Sequence, residues 1–219
     1  MAASLNQGVD SAVTAEEIAQ AFQEAGLEAL SSGKLTQFET YLALLLKWNA
    51  KLNLTAIREP KAIIRRHFVE CIQCAQALPQ LQEGSTLLDF GSGGGLPGIP
   101  IAICRPEIQV TLAESQRKKT AFLREAVRTL GVQVEVFDGR VEDMPEERRF
   151  SIVTLRAVDK MAESCREAVS RITLHGWIVV FSTTGKETEI NEALPEIQWR
   201  QRLRIRALEK GEILLGQRS

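Results

Sequence analysis

Residues 87–100 read LLDFGSGGGLPGIP, with five glycines in eight residues directly after a short apolar run. Each glycine weakens local structure, so a bunch of them marks a place where another group approaches the backbone closely. Three kinds of ligand compete for such a turn. A nucleoside-triphosphate loop needs G-x-x-x-x-G-K-[ST], and no Lys-Ser or Lys-Thr follows these glycines. A nicotinamide dinucleotide fits formally, because Gly93, Gly95 and Gly98 satisfy G-x-G-x-x-G. S-adenosylmethionine (AdoMet) suits a loop of the form Asp-x-Gly-x-Gly-x-Gly, which Asp89, Gly91, Gly93 and Gly95 match without a gap. AdoMet has no phosphates and bears an ammonium and a sulfonium. A carboxylate at the turn, such as Asp89, attracts those cations and repels a pyrophosphate. The loop therefore favours AdoMet over NAD and over a turn that binds nothing. Glu114, at the end of the next apolar run, is placed for ribose hydroxyls in either scheme.

Other chemistry-bearing residues are less specific. Cys71 and Cys74 form one C-x-x-C, but zinc needs two further ligands at suitable spacing, and no second Cys or His pair exists. A redox C-x-x-C follows a strand, whereas these two lie within a helical pattern and read as one of its faces. Arg65, Arg66 and His67 form one basic cluster and Arg117, Lys118 and Lys119 another. Each suits RNA phosphate, and each equally suits a solvated helix face. Arg200, Arg202, Arg204 and Arg206 alternate with other residues, giving an edge strand with an arginine face that deters edge pairing or grips RNA. Asn53 is a turn residue or an RNA contact, and His175 reads as a turn residue.

These residues need elements to place them. Residues 15–78 are helical in pattern, with breaks after Gly26 and over Thr55–Glu59, and a third helix opens at Pro60 and ends before Pro79. From Ser85 strands and helices alternate: strands near 85–91, 108–114, 132–138, 150–158 and 176–183, helices near 100–105, 115–131, 160–173 and 188–194. That alternation predicts an α/β fold, a parallel sheet with helices on both faces and the glycine loop at the carboxyl end of its first strand. The last two apolar runs have no helix between them and predict an antiparallel pair at one edge. The expected organisation is a helical extension over 1–80 packed on a second unit over 81–219, since no Gly/Ser-rich linker separates them.

Composition sets the limits. The 219 residues are 44% apolar and carry Lys+Arg 27 against Asp+Glu 28, so no chain-wide basic field exists and nucleic-acid binding must come from local patches. The longest apolar stretch, YLALLL at 41–46, is too short to span a bilayer, and the N-terminus lacks the pattern of a signal peptide. Four cysteines are ordinary usage in a reducing compartment. The expectation is a cytoplasmic monomer with no membrane contact and no metal.

Over nearly its whole length the chain resembles the bacterial small-subunit rRNA guanine-N7 methyltransferases, once called glucose-inhibited division protein B. The matching segments are LLLKWNAKLNLTAIREPKAIIRRHF (44–68), LLDFGSGGGLPGIPIAI (87–103), TLAESQRKKTAFLREA (111–126), GRVED (139–143) and VTLRAV (153–158). The first is diagnostic, with its NLT and RHF; AdoMet loops alone occur in many methyltransferases. The resemblance implies a Rossmann-like class I fold with AdoMet as cofactor. It implies cofactor contacts at Gly91, Leu96, the Val141–Glu142 pair and Arg156, and a guanine of 16S rRNA as acceptor, at position 527 in the usual bacterial RNA numbering. The substrate it implies is the 16S rRNA, free or in the small ribosomal subunit. The full cofactor set expected is Asp89, Gly91, Gly93, Gly95, Leu96, Glu114, Val141, Glu142 and Arg156. The RNA set is Asn53, Arg65, Arg66, His67, Arg117, Lys118, Lys119, Arg140 and Lys186. Three positions depart from the family pattern: Leu155 replaces a usual serine, Glu70-Cys71 stands where Asp-Ser is common, and Thr184 stands where a lysine usually precedes the glycine, with Lys186 two residues on.

The residues narrow the acceptor independently. Amino-nitrogen methylases of adenine or cytosine carry Asn/Asp-Pro-Pro-aromatic after the fourth strand, where this chain has LRAVDK. Cytosine-C5 methylases need a cysteine beside a proline, and none of the four has one. Guanine N7 needs neither, because its in-plane lone pair carries no proton. No general base is then expected, and catalysis rests on alignment at contact distance. An NAD-dependent oxidoreductase and a non-catalytic RNA-binding module remain the alternatives from other classes.

Overall fold

The computed structural model describes residues 13–158, 161–205, 208 and 210–219. The segment before the sheet forms α1 (Ala15–Glu24), α2 (Ser32–Leu52), α3 (Pro60–Ile63) and α4 (Val69–Ala77), with a π-helical turn over Ile64–Phe68 between the last two. Thr14 caps α1 through a reciprocal capping box with Glu17. Pro60 opens α3, and the Glu59 carboxylate accepts from the amides of Lys61 and Ala62. The π turn is the departure from the single helix expected between Pro60 and Pro79. The Val69 amide reaches back to the Ile64 carbonyl, five residues away. Such single-turn bulges recur at functional sites, and this one carries Arg65, Arg66 and His67.

The remaining elements alternate as expected: β1 (Thr86–Phe90), α5 (Gly98–Cys104), β2 (Gln109–Glu114), α6 (Arg117–Leu130), β3 (Val134–Asp138), β4 (Phe150–Arg156), α7 (Met161–Ser170), β5 (Ile172–Thr183), α8 (Glu187–Ala193), β6 (Ile197–Arg204) and β7 (Gly211–Arg218). They build one seven-stranded sheet in the order β3-β2-β1-β4-β5-β7-β6. Strands β1 to β5 pair in parallel, while β7 runs antiparallel to both β5 and β6. The chain thus ends in the antiparallel edge its last two apolar runs predict. Chain order reverses between β1 and β4, which leaves a crevice at their carboxyl ends.

Alternation along each strand feeds two cores. Leu87, Ile152, Val179 and Ile213 face one side, with α1, α2, α4, α5 and α6. Leu88, Val153, Val180 and Leu214 face the other, with α7 and α8. The first helices share the first core with the sheet rather than owning a separate one. Rings thread it in sequence: Phe22 lies edge-on to Phe38 at 5.4 Å, Phe38 meets Phe68 at 5.2 Å, and Tyr41 stacks on Phe68 at 5.4 Å. The Tyr41 hydroxyl ends the thread by donating to the Gly94 carbonyl at 2.5 Å.

The glycine loop is pinned on its other flank by Asp89. Its Oδ1 accepts from the Thr154 hydroxyl at 2.9 Å, and its Oδ2 accepts from the Gly98 amide at 3.2 Å. Gly98 has no room for a side chain, since a Cβ there would lie 2.3 Å from Leu112 Cδ2. Burial pushes the Asp89 carboxyl up to about 6, against the downward pull of Thr154 and the Gly98 amide.

A pH dependence follows. A carboxyl whose folded value is raised binds its proton more tightly folded than unfolded, so its share of stability falls as pH rises from about 4 to about 6. An Asp89→Asn variant keeps both hydrogen bonds without the charge, its amide oxygen toward Gly98 and its amide nitrogen toward the Thr154 hydroxyl. The variant should gain about 3 kcal/mol relative to the parent between pH 4 and pH 7, from about 2 units at 1.36 kcal/mol each. Denaturant unfolding at the two pH values measures this, and a stability difference that does not change with pH would refute it.

Candidate functional site

A cavity of about 1100 Å³ opens at the carboxyl ends of the central strands. Its floor is the glycine loop, with Gly91, Ser92, Gly93, Gly94 and Leu96, and Glu114 at the end of β2. Gly91 and Gly93 have φ of 69° and 56°, a left-handed path that glycine adopts without strain. A Cβ on Gly93 would meet nothing nearer than the Gly91 carbonyl oxygen at 3.9 Å, so it would point into free space above the loop. Glu114 is 6% exposed. Its Oε2 accepts from the Gly93 amide at 3.0 Å and its Oε1 from the Gln116 amide at 2.8 Å. Each oxygen keeps a lone pair for a donor in the cavity.

Arg156, the last residue of β4, lines the same cavity and carries the most connected polar group in it. Its Nε donates to Glu70 Oε1 at 2.7 Å, its Nη2 donates to the same oxygen, and Nη2 also lies 2.6 Å from His67 Nδ1. A guanidinium only donates, so His67 Nδ1 is the acceptor and the ring proton sits on Nε2. Nε2 in turn faces the Thr55 hydroxyl at 2.7 Å. Burial pushes the His67 imidazole below its ordinary value, helped by the charges of Arg156 and Arg66 and opposed by Glu70. His67 is therefore neutral in this network, and its 3.6 Å approach to Glu70 is no ion pair. Burial opposes the charge on Arg156, but its anionic neighbours, led by Glu70, hold its pKa above the ordinary value. Ala157, next in the chain, adopts φ 52°, a strained turn for a non-glycine residue at the cavity edge.

The structure gathers part of the expected site and disperses the rest. Gly91, Gly93, Leu96, Glu114 and Arg156 line the cavity together. Asp89 does not. It is 1% exposed behind the loop with both oxygens engaged, so the carboxylate that lines the cavity beside the loop is that of Glu114. Gly95 is also turned away from the cavity, and a Cβ there would strike Ile99. Val141 is buried in the second core and Glu142 is exposed on the 3-10 turn over Val141–Asp143; neither lines the cavity.

The basic residues divide likewise. Arg66, Lys119 and Lys186 line the cavity. Arg117 and Lys118 are exposed at the start of α6, and Arg140 is exposed ahead of the 3-10 turn, all off the cavity. Arg65 faces a separate small groove with Glu17 and Lys61. His67 lines the cavity, but Arg156 and Thr55 occupy both its nitrogens, so it is not the free RNA ligand expected. Asn53 ends α2 with φ 46° and accepts from Arg58 at 3.2 Å, which makes it a helix terminator. Along β6, Arg202 is paired with buried Glu212 at 2.6 Å and Arg200 donates to Gln217 at 3.2 Å, while Arg206 lies outside the described residues. His175 is not the turn residue expected: it lies inside β5, with φ 61° as a local irregularity of the strand. Cys71 and Cys74 are fully buried on α4, and burial raises both thiols well above their usual range.

Sequence reading missed the roles of Thr55, Glu70, Phe181, Glu189 and Lys210, all of which line the cavity. Glu70 had a local signal, three residues after His67 on one helical face. Lys210 and Glu189 had none, because only sheet order brings β7 and α8 to the mouth.

The glycine run, the carboxylate above it and the free space at Gly93 fit AdoMet: the carboxylate suits hydroxyl donors and cations, and the bare loop backbone suits close approach. Comparison with known proteins agrees with that fit. The sequence profile described as rRNA small subunit methyltransferase G matches residues 34–213. A relative from Chromobacterium violaceum called Ribosomal RNA small subunit methyltransferase G is 42% identical over 148 residues, covering 67% of this chain and 69% of its own. Relatives of the same name from Pelotomaculum thermopropionicum and Clostridium perfringens are 40% and 34% identical, covering 68% and 80% of this chain and 64% and 74% of their own. Among solved structures, Pyrococcus horikoshii TYW2 in complex with MeSAdo superposes with a TM-score of 0.56 at 17% identity, covering 70% of this chain and 61% of that one. A Thermus thermophilus 16S rRNA methyltransferase in complex with AdoMet and guanosine gives 0.52 at 17% identity, covering 69% of this chain and 42% of that one. At those identities the likeness is one of fold. The profile match across most of the chain goes further, and with it the chain belongs to the rRNA small subunit methyltransferase G family.

Proposed function

We propose that this chain transfers a methyl group from AdoMet to N7 of a guanine in 16S rRNA, acting as a monomer in the cytoplasm on free rRNA or the small ribosomal subunit. The observation that carries this reading is the joining of two surfaces in one cavity: the glycine loop with Glu114 at one end, and a rim bearing Arg66, Lys119, Lys186 and Lys210. The first suits an amino-acid nucleoside, and the second suits the phosphates on either side of an extruded base. AdoMet, when bound, supplies an electrophilic methyl carbon that the N7 lone pair takes, leaving the thioether and a 7-methylguanine.

The protein's own part is positional. Glu114 holds Gly93 and accepts ribose hydroxyls with its remaining lone pairs. Glu70 and neutral His67 fix the Arg156 side chain at the cavity wall. The cations at the mouth hold the RNA backbone so that the base stays in register. No residue needs to remove a proton, because guanine N7 carries none. The division into a helical segment over 1–80 and a methyl-transferring unit over 81–219 is one of roles, the first supplying Arg66 and the Glu70–His67 clamp.

Transfer of tritium from labelled AdoMet to 16S rRNA and to small subunits, followed by mapping of the modified base, tests the reading; absence of label from both substrates would sink it. Glu114→Gln should weaken AdoMet by about 1.5–3 kcal/mol in calorimetry. Gly93→Val should abolish AdoMet binding in a folded protein, because its side chain fills the space above the loop. Unchanged affinity in both variants would remove the loop from the cofactor site.

The geometry also sorts the cations. Replacing Arg66, Lys119, Lys186 and Lys210 with glutamine should flatten the log–log salt dependence of RNA binding by roughly 0.7–0.9 per lost phosphate contact. Replacing Arg65, Arg117 and Lys118 should change it less, since these point away from the cavity. Equal slopes for the two sets would show that the cavity rim does not hold the backbone.

A further inference from the structure

The cavity has two ends. The glycine loop, Glu114 and Arg156 lie at the carboxyl ends of β1, β2 and β4, whereas Phe181, Glu189 and Lys210 belong to β5, α8 and the turn before β7. With the cofactor over the glycine loop, the target nucleotide is left the second end. Among the described residues three carboxylates line the cavity, and two are engaged. Glu114 accepts backbone amides through both oxygens, and Glu70 is paired with Arg156. Glu189 is exposed on α8, in the second end, and makes no hydrogen bond or ion pair with the described residues. The buried ring of Phe181 offers an apolar wall in the same end.

We infer that Glu189 reads the Watson–Crick edge of the target guanine, its carboxylate accepting from N1–H and the N2 amino group while N7, on the far side of the base, faces the cofactor. The assignment rests on the methyl-transfer reading above. Its chemistry is specific to guanine. Adenine presents a lone pair at N1 and no amino group at C2, so the same carboxylate repels it. Paired acceptors of this kind are how Asp and Glu discriminate among base donors. The contact also serves the reaction. As N7 gains a bond, the ring acquires positive charge and N1–H and N2–H become more acidic. Their hydrogen bonds to a carboxylate therefore strengthen on the way to the transition state, which raises kcat rather than merely lowering KM. Lys186, one turn before Glu189, and Lys210 stand at the same end as counterparts for the flanking phosphates.

The test is a cycle between protein and RNA. Wild type, Glu189→Ala and Glu189→Gln are assayed with 16S rRNA carrying guanine or inosine at the methylated position. Inosine keeps N7 and N1–H and lacks only the N2 amino group. Wild type should lose about tenfold or more in kcat/KM on inosine, the worth of one hydrogen bond to a charged acceptor. Glu189→Ala should fall about tenfold to a hundredfold on guanine, chiefly in kcat, and treat the two RNAs alike. Glu189→Gln, which keeps one acceptor oxygen, should fall between. RNA affinity measured without AdoMet should show the same loss of guanine–inosine discrimination, and AdoMet affinity should stay at the wild-type value. An inosine penalty that persists in Glu189→Ala, or full activity of that variant on guanine, overturns the assignment. Failure of wild type to methylate guanine RNA would instead strike the methyl-transfer reading, and the affinity comparison would still decide whether Glu189 contacts the base.

Discussion

A loop containing five glycines in eight residues has almost no conformational preference of its own, and everything functional here depends on holding it from outside. Three side chains do so from three directions. Glu114 takes the Gly93 amide from β2, Asp89 takes the Gly98 amide from β1, and Tyr41 donates to the Gly94 carbonyl from α2. Each contact satisfies a backbone group that would otherwise be left unpaired near the core. The loop thus presents Gly91, Gly93 and Gly94 to the cavity, beside Ser92 and Leu96, and is tied down by its neighbours. That combination allows close approach of a ligand without loss of shape.

The second constraint is the buried charge of Arg156. A guanidinium largely out of water is tolerable only when its donors are answered. The answer comes from His67 in the π-helical turn and Glu70 just beyond it, rather than from the sheet. By adding a residue to the turn, the chain keeps Arg65 and Arg66 exposed while His67 and Glu70 are buried against Arg156. The helices before the sheet therefore complete the cavity as well as covering a face of the sheet.

The fold was legible because its signals are local. Alternation of apolar residues, proline and glycine at helix ends, and a glycine run after a strand each act over a few residues, and the resulting sheet has the expected parallel centre and antiparallel edge. Residues that line the cavity were legible where a motif named them, as at Gly93 and Glu114, or where the resemblance did, as at Arg156. Asp89 shows the limit. Its place in the motif was plain, but which way a strand residue points relative to a turn is a matter of register, and here it points behind the loop. His67 shows another, since a basic residue in a basic cluster reads as a surface group until a buried partner elsewhere is known. Lys210 and Glu189 owe their places to strand order alone.

The clamp on Arg156 carries a consequence for the width of the cavity. Residue 70 is a glutamate, whose carboxylate reaches Arg156 from α4. An aspartate, one methylene shorter, would reach the same guanidinium only from a helix axis set nearer to β4, so the length of this one side chain gauges the gap between the helices and the sheet. Cavity width is then a dimension tied to positions 70 and 156 as a pair, and exchange at either position alone would reset the spacing for everything seated between them.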